Sequence, residues 1–354
     1  MTGSTNSETS GENESKGAVT GYETAGEDDE ASTESHFDVH FVIPHRGRTD
    51  YLAKTVESIA KLKTDYSVFL SVVTQDNADE IEQLIQAATD SPKSILSASS
   101  WCCEQAERSL TISALRNIGA KHAESTYLAF LDADVYLAEN WLEVCLEELN
   151  QTARSGKRRA IVSAHQKPSS IANSLEHIRV ALSNPHVDCA VDFLPGRNLL
   201  MRREDCLAIG GFPEHLETCE DYFFTDLAAK RGPLWYSAQT SYIHLGEDRH
   251  YKELFKKEIW RAKGNLASLK GRSFSLRELP SLLVPVWIGL FFVIALACLI
   301  LGYTFWFWAG ITLTALPFAL YTYRLHRLAP HLRLSSIIRF YLHYFPARLI
   351  GMVS

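Results

Sequence analysis

Hydrophobic positions divide the chain into three regimes. Residues 1–35 carry almost no large apolar side chain besides Tyr22 and are built mainly from Ser, Thr, Gly and Glu. Such a segment cannot bury enough surface to offset the entropy of ordering it, so a disordered tail is expected. Residues 36–278 alternate short apolar runs with stretches of helical spacing. Asp38 to Pro44 and Val68 to Val73 read as buried strands, the first closed by proline and the second by Thr74-Gln75-Asp76. Between them Leu52, Val56, Ile59 and Leu62 recur at the period of a helix over Tyr51–Leu62. Helices are likewise predicted over Glu80–Ala88 and Ala106–Ala123, a strand over Tyr127–Leu131, and a further helix from near Glu139. This alternation predicts an α/β domain with a mainly parallel sheet, whose ligands gather at the carboxyl ends of the strands.

The third regime begins at Leu279. From there to Tyr323 no Asp, Glu, Lys or Arg occurs. One helix of that length would run about 67 Å against a hydrocarbon core of about 30 Å. Two spans near 281–301 and 305–323, joined by a turn at Gly302-Tyr303-Thr304, are therefore predicted. Trp306, Trp308, Tyr321 and Tyr323 are placed for interfacial belts. A buried hairpin of a soluble domain is the competing reading, but it would carry polar residues where its outer faces met water. Within 324–354, Leu334, Ile337, Ile338, Tyr341, Leu342 and Phe345 form one stripe of an amphipathic helix. That helix either lies in the membrane interface or packs on the preceding domain.

Charge sharpens this division. The tail holds nine acids against Lys16, a local −8, so a total of −7 leaves the rest of the chain at +1. Seven bases between Lys256 and Arg277 precede the apolar region and five arginines from Arg324 to Arg348 follow it. With an uncharged turn between the spans, the positive-inside rule places the N-terminal domain and both termini in the cytoplasm of a two-span membrane protein. The seven cysteines are an odd set without metal-like paired spacing, as suits thiols in a reducing compartment. A near-neutral core with no recognisable module argues against nucleic acid as a partner.

Two acidic features stand where ligands of such a sheet would bind. Asp132 and Asp134 follow the run Tyr127–Leu131, and residues two apart in an extended segment project to one side. Paired carboxylates suit a hard divalent cation that holds a diphosphate, although a polar turn capping the next helix has the same composition. Glu220-Asp221 comes next, preceded by Gly210-Gly211-Phe212-Pro213. Acids there also fit a helix start. The combination is more specific than either part: a proline-ended first strand, Arg116-Asn117-Ile118-Gly119, Asp-Ala-Asp, Gly-Gly-Phe and Glu-Asp, in that order.

On those residues the chain resembles glycosyltransferase family 2, an inverting family with the GT-A fold, over about 38–265. The resemblance implies a nucleotide-diphospho-sugar transferase domain with a Rossmann-like mixed sheet over 36–278, followed by the hairpin and the amphipathic segment. It implies donor binding by Pro44, Asp76, Arg116, Asp132 and Asp134, with Mg²⁺ or Mn²⁺ held by Asp132 and Asp134 and completed by His244. It makes Asp221 the general base that deprotonates an acceptor hydroxyl. Glu220, Arg261 and Arg46 are candidates for acceptor or phosphate contacts; solvated loop and membrane-flank arginines are the other reading of the last two. The run Thr74-Gln75-Asp76-Asn77-Ala78-Asp79 lacks the family's common Asp-Asp-Gly-Ser, which leaves the donor nucleotide open. No Gln-X-X-Arg-Trp occurs, Ile259-Trp260-Arg261 standing near its place, so transfer of a single sugar is implied rather than processive polymerisation. The implied partners are a cytosolic nucleotide sugar, a polyprenyl-linked saccharide or glycolipid acceptor, and the bilayer. The alternative is a non-catalytic sugar-nucleotide-binding or scaffold subunit of a polysaccharide assembly complex.

Overall fold

The computed structural model describes residues 37–152, 156–268 and 279–354; the tail expected to be disordered, and the bases Lys270, Arg272 and Arg277, lie outside the described residues. Strands and helices alternate as β1 (Val39–His45), α1 (Thr49–Ala60), β2 (Val68–Thr74), α2 (Ala78–Thr89), β3 (Trp101–Gln105), α3 (Ile112–Lys121), β4 (Tyr127–Leu131) and β5 (Val135–Leu137). The chain continues through α4 (Trp141–Asn150), β6 (Ile161–Lys167), α5 (Ser174–Ser183), β7 (Cys189–Val191), β8 (Asn198–Arg202), α6 (Arg203–Ala208), α7 (Glu220–Ala229) and β9 (Leu234–His244). Then follow α8 (Tyr251–Ser268), α9 (Leu279–Ile300), α10 (Thr304–Leu328) and α11 (Leu334–Val353).

One mixed sheet runs in the order β3-β2-β1-β4-β8-β6-β9-β5, with β7 also on β9. Only β1 to β4 make a parallel block. Strand β8 then runs antiparallel to both β4 and β6, and β9 is parallel to β6 but antiparallel to β5 and β7. The expectation of a mainly parallel sheet therefore holds for its first half alone. Successive strand residues face opposite sides. Phe41 and Ile43 pack with Leu52, Ile81 and Trp141 on one face, while Val42 and Phe130 pack with Phe212 and Phe224 on the other.

One local reading needs correction. Helix α3 begins at Ile112, not Ala106, because the Thr111 hydroxyl accepts from the Ala114 N–H at 3.3 Å and caps it there. Residues 106–111 are a loop, and before it lies β3, a half-exposed edge strand whose Trp-Cys-Cys-Glu-Gln sequence has no alternation to announce it. Within the basic run 157–159, Arg159 is buried; its guanidinium lies 3.5 Å over Trp235 and donates to the Glu148 carbonyl.

Helices α9 and α10 are long and apolar enough to cross a membrane, with mean hydropathy 2.8 and 1.2 in their most apolar windows, of which 17% and 11% is buried. A helix apolar all round needs an apolar surrounding. Gly302 turns the chain between them at φ 78°. Helix α10 continues to Leu328, so Arg324 and Arg327 belong to its last turns. Trp306, Trp308 and Tyr323 are exposed, whereas Tyr321 turns inward, edge-on to Tyr341 and Phe345.

Helix α11 uses its apolar arc twice. Ile337, Tyr341 and Phe345 join Leu175, Ile178, Leu254 and Leu325 in a third core that ties α5, α8 and α10 together. Leu334, Ile338 and Leu342, the other half of the expected stripe, remain exposed. The two readings of this helix are thus two faces of it, one packed and one uncovered.

Candidate active site

A cavity of about 900 Å³ opens at the carboxyl ends of β1, β2 and β4, with Pro44, Arg46, Asp132, Asp134, Glu220 and His244 in its wall. Its floor is organised by one residue. Arg116 of α3, 1% exposed, donates from Nη2 to Asp132 Oδ1 at 2.6 Å and from Nη1 to Glu220 Oε1 at 3.2 Å. The guanidinium also lies 4.8 Å over the Phe212 ring. Burial alone would lower its pKa, but the carboxylates of Asp132 and Glu220 raise it.

Asn117 completes the join. Its side-chain amide donates to the Phe212 carbonyl at 2.9 Å and its Oδ1 accepts from the Phe212 N–H at 2.8 Å. Gly211 permits this clamp: its φ is +74°, and a Cβ there would stand 2.6 Å from Asn117 Oδ1. The Arg-Asn, Asp-Ala-Asp, Gly-Gly-Phe and Glu-Asp motifs are therefore parts of one hydrogen-bonded unit.

The two aspartates face the cavity with different partners. Strand β4 ends at Leu131, and 132–134 form a turn rather than the expected extended segment. Asp132 is held by Arg116, and burial pushes its carboxyl up. Asp134 Oδ2 meets His244 Nε2 at 3.1 Å because the β5–β9 register sets His244 opposite Val135. His244 Nδ1 in turn meets Glu247 Oε2 at 3.1 Å. Burial and Arg197 oppose protonation of this imidazole, yet Asp134 and Glu247 raise its pKa. Burial works against the Asp134 carboxylate, but the His244 contact holds its pKa below the ordinary value. A Cβ on Gly246 would stand 2.1 Å from Asp134 Oδ2, so glycine keeps that oxygen accessible.

Asp76 follows Gln75 of the cavity wall and accepts from the Gly47 N–H, with Arg108 Nη2 at 3.8 Å and His45 Nδ1 at 3.9 Å. Asp221 lies in the first turn of α7, after Cys219 at φ 62°. Its Oδ2 accepts from the Gly196 N–H at 3.3 Å and its Oδ1 from its neighbour Tyr222 at 2.8 Å. Burial, then the charge of Glu220, push this carboxyl up to about 7. Glu220 itself is turned to the cavity and tied to Arg116.

Arg261 is not brought to this cavity. It pairs with Glu258 and lines a separate one, while Lys257 and Trp260 of the same helix line the first. Sequence reasoning missed Glu247, Arg197 and Arg108. Glu247 had a readable signal in its three-residue spacing from His244. Arg197 had none: its carbonyl accepts from the Asp132 N–H at 3.0 Å only because β8 pairs with β4.

Among the described residues no group of three or more His, Cys, Asp or Glu side chains converges as a metal site. Two donors do meet, the Asp134 carboxylate and the His244 imidazole, the latter oriented from behind by Glu247. That set fits a divalent cation which takes its remaining ligands from phosphate oxygens and water.

Residues 40–206 match the model of the family described as "Glycosyl transferase family 2". This glycosyltransferase family 2 domain match spans 167 of the 354 residues. The fold of the whole chain is similar to that of the mannosyltransferase PcManGT from Pyrobaculum calidifontis, solved with GDP-Man and Mn²⁺, at TM-score 0.56 and 15% identity, over 90% of this chain and 88% of that one. S. aureus TarS 1–349 with UDP-GlcNAc gives TM-score 0.46 at 15% identity, over 88% of this chain and 90% of that one. No curated protein sequence matches the chain. The GT-A architecture of this transferase domain is thus a property of the chain, as is the pair of apolar helices that follows it.

Proposed function

We propose that the protein is an inverting, non-processive glycosyltransferase that moves one sugar from a cytosolic nucleotide sugar to a membrane-associated acceptor, a polyprenyl-linked saccharide or a glycolipid. Residues 36–278 are the catalytic unit in this reading, 279–323 a two-span anchor, and 324–354 a basic interfacial segment. The basic flanks and the uncharged turn at 302–304 favour a cytoplasmic catalytic domain and cytoplasmic termini. The observation that supports the reaction is the pairing of buried Arg116 with Asp132 and Glu220 of the cavity wall, beside metal-suited Asp134 and His244 of the same wall and next in sequence to Asp221, whose carboxyl is raised.

Asp221 takes the proton of the acceptor hydroxyl as its oxygen bonds to the anomeric carbon, and the bond from that carbon to the diphosphate breaks on the opposite side, which inverts the configuration. A pKa near the working pH suits this role. Arg46, Arg108 and Lys257 favour the phosphates electrostatically, and Pro44 and Asp76 lie towards the nucleoside. Mg²⁺ or Mn²⁺, held by Asp134 and His244 with Asp132 nearby, would neutralise charge developing on the departing diphosphate. The mannosyltransferase of the same fold, solved with GDP-Man and Mn²⁺, makes a GDP- or other nucleotide-linked sugar the first donor to try.

Calorimetry of donor binding with and without Mn²⁺ tests the metal assignment. Asp134→Ala is expected to weaken metal-dependent donor binding about 10- to 100-fold. Equal donor affinity with and without metal in both proteins rejects it. Release of free nucleotide across a panel of nucleotide sugars separates this reading from a non-catalytic subunit.

A further inference from the structure

A second cavity, of about 310 Å³, lies where α5, α8, α10 and α11 meet. Arg179, Arg261, Arg324 and Arg348 line it against a single acid, Glu258. One wall is apolar, with Leu325, Leu328 and Phe340, and Tyr344 closes it. The carboxylate of Glu258 is already shared, by Arg261, by Arg348 Nε at 2.8 Å and by Arg179 Nη1 at 3.5 Å. Arg179 is also paired with Glu247, at 3.1 Å, whereas exposed Arg324 forms no ion pair among the described residues.

The position narrows the ligand. Arg324 lies in the last turns of α10, where the run without charged residues ends, at the level a phospholipid headgroup occupies if that helix spans the bilayer. The exposed stripe of Leu334, Ile338 and Leu342 on α11 beside it is suited to the same depth. A guanidinium cluster suits phosphate oxygens by charge and by its forked donors, and the apolar wall suits the start of an acyl chain. Helix α8 separates this cavity from the first: Lys257 and Trp260 face one, Glu258 and Arg261 the other.

We propose that this cavity is a binding site for an anionic phospholipid of the host bilayer, its phosphate among the arginines and its chain along α10. The proposal rests on the bilayer placement of α9 and α10 given above.

The test uses the full chain in nanodiscs of phosphatidylcholine containing a minority of phosphatidylglycerol, with native mass spectrometry counting the lipids retained after release. The wild type is expected to keep phosphatidylglycerol in preference to phosphatidylcholine. Arg324→Gln, at an exposed position that leaves the Glu258 cluster intact, is expected to lower that preference about tenfold. Arg327→Gln removes the same charge one turn on, outside the cavity, and is expected to change it less than about twofold. Equal losses in the two variants mean a diffuse basic collar and overturn the site. Displacement of the lipid by inorganic phosphate alone also overturns it, because phosphate makes no use of the apolar wall. Failure to enter nanodiscs of either composition defeats the bilayer placement and the site with it; entry without lipid preference defeats the site alone.

Discussion

Asp221 illustrates how one side chain's surroundings set both chemistry and stability. Its carboxyl ordinarily titrates at 3.8, and burial with the adjacent Glu220 charge moves it to about 7. The folded state therefore binds this proton more tightly than the unfolded one. Its stabilising contribution is complete below the ordinary value and is lost as pH rises through about 7. The proposed role as general base has the opposite need, since only the carboxylate accepts a proton. Turnover is expected to climb about tenfold per pH unit below 7 and to level above it. Asp221→Asn should lower kcat by about 10² to 10⁴ while leaving donor affinity within a few fold, and should melt higher than the wild type above pH 7. Steady-state rates across pH, paired with thermal melts of the two proteins, check both signs. Unchanged turnover in the variant removes Asp221 as the base, and a lower melting temperature above pH 7 contradicts the cost assigned to its charge.

Among elements, α5 and α8 form a charged seam between the first cavity and the core shared with α10 and α11. Arg179 of α5 reaches Glu247 Oε1 at 3.1 Å and Glu258 Oε1 at 3.5 Å, and both carboxylates are almost fully buried. Each has other cations, Arg197 and His244 for Glu247 and Arg261 and Arg348 for Glu258. Arg179→Met thus leaves neither acid alone, and its expected cost is about 3 kcal/mol, the lower end for a broken buried pair. Denaturant unfolding measures it, and a loss below about 1 kcal/mol means that the pairs carry little. This seam was invisible in the sequence because its partners lie far apart in the chain and meet only through packing. Elements with a clean period were legible, β1, α1, β2 and β4 within two or three residues. Strand β3 was not, being a half-exposed edge strand of cysteine and polar residues. The site shows the same division. Asp132, Asp134 and Glu220 were legible as local motifs, whereas the clamp made by Arg116 on Glu220 and by Asn117 on Phe212 spans about a hundred residues of sequence separation.

At the scale of the whole molecule, the C-terminal helices are more than a tether. Leu254 and Ala262 of α8 are fully buried, Leu254 within the core shared with α10 and α11. The backbones of α8 and α11 approach so closely that a Cβ on Gly351 would stand 2.3 Å from the Ile259 carbonyl. Arg348 of α11 supplies one of the cations on Glu258. The opposite side of α8 contributes Lys257 and Trp260 to the transferase cavity. Removing residues 279–354 therefore takes away the packing of a helix that also lines the first cavity. Such a truncation is expected to speed amide hydrogen exchange throughout α8 and to weaken donor binding several-fold, even in detergent where solubility is not at issue. Removing residues 1–35, a segment with almost no apolar side chain to bury, is expected to leave the melting temperature unchanged while shifting the net charge from −7 to +1. Hydrogen exchange and donor calorimetry on the two truncations distinguish the roles. If the chain ending at 278 kept full-length protection in α8 together with full-length donor affinity, the coupling of the C-terminal helices to the proposed donor site through α8 would have to be abandoned.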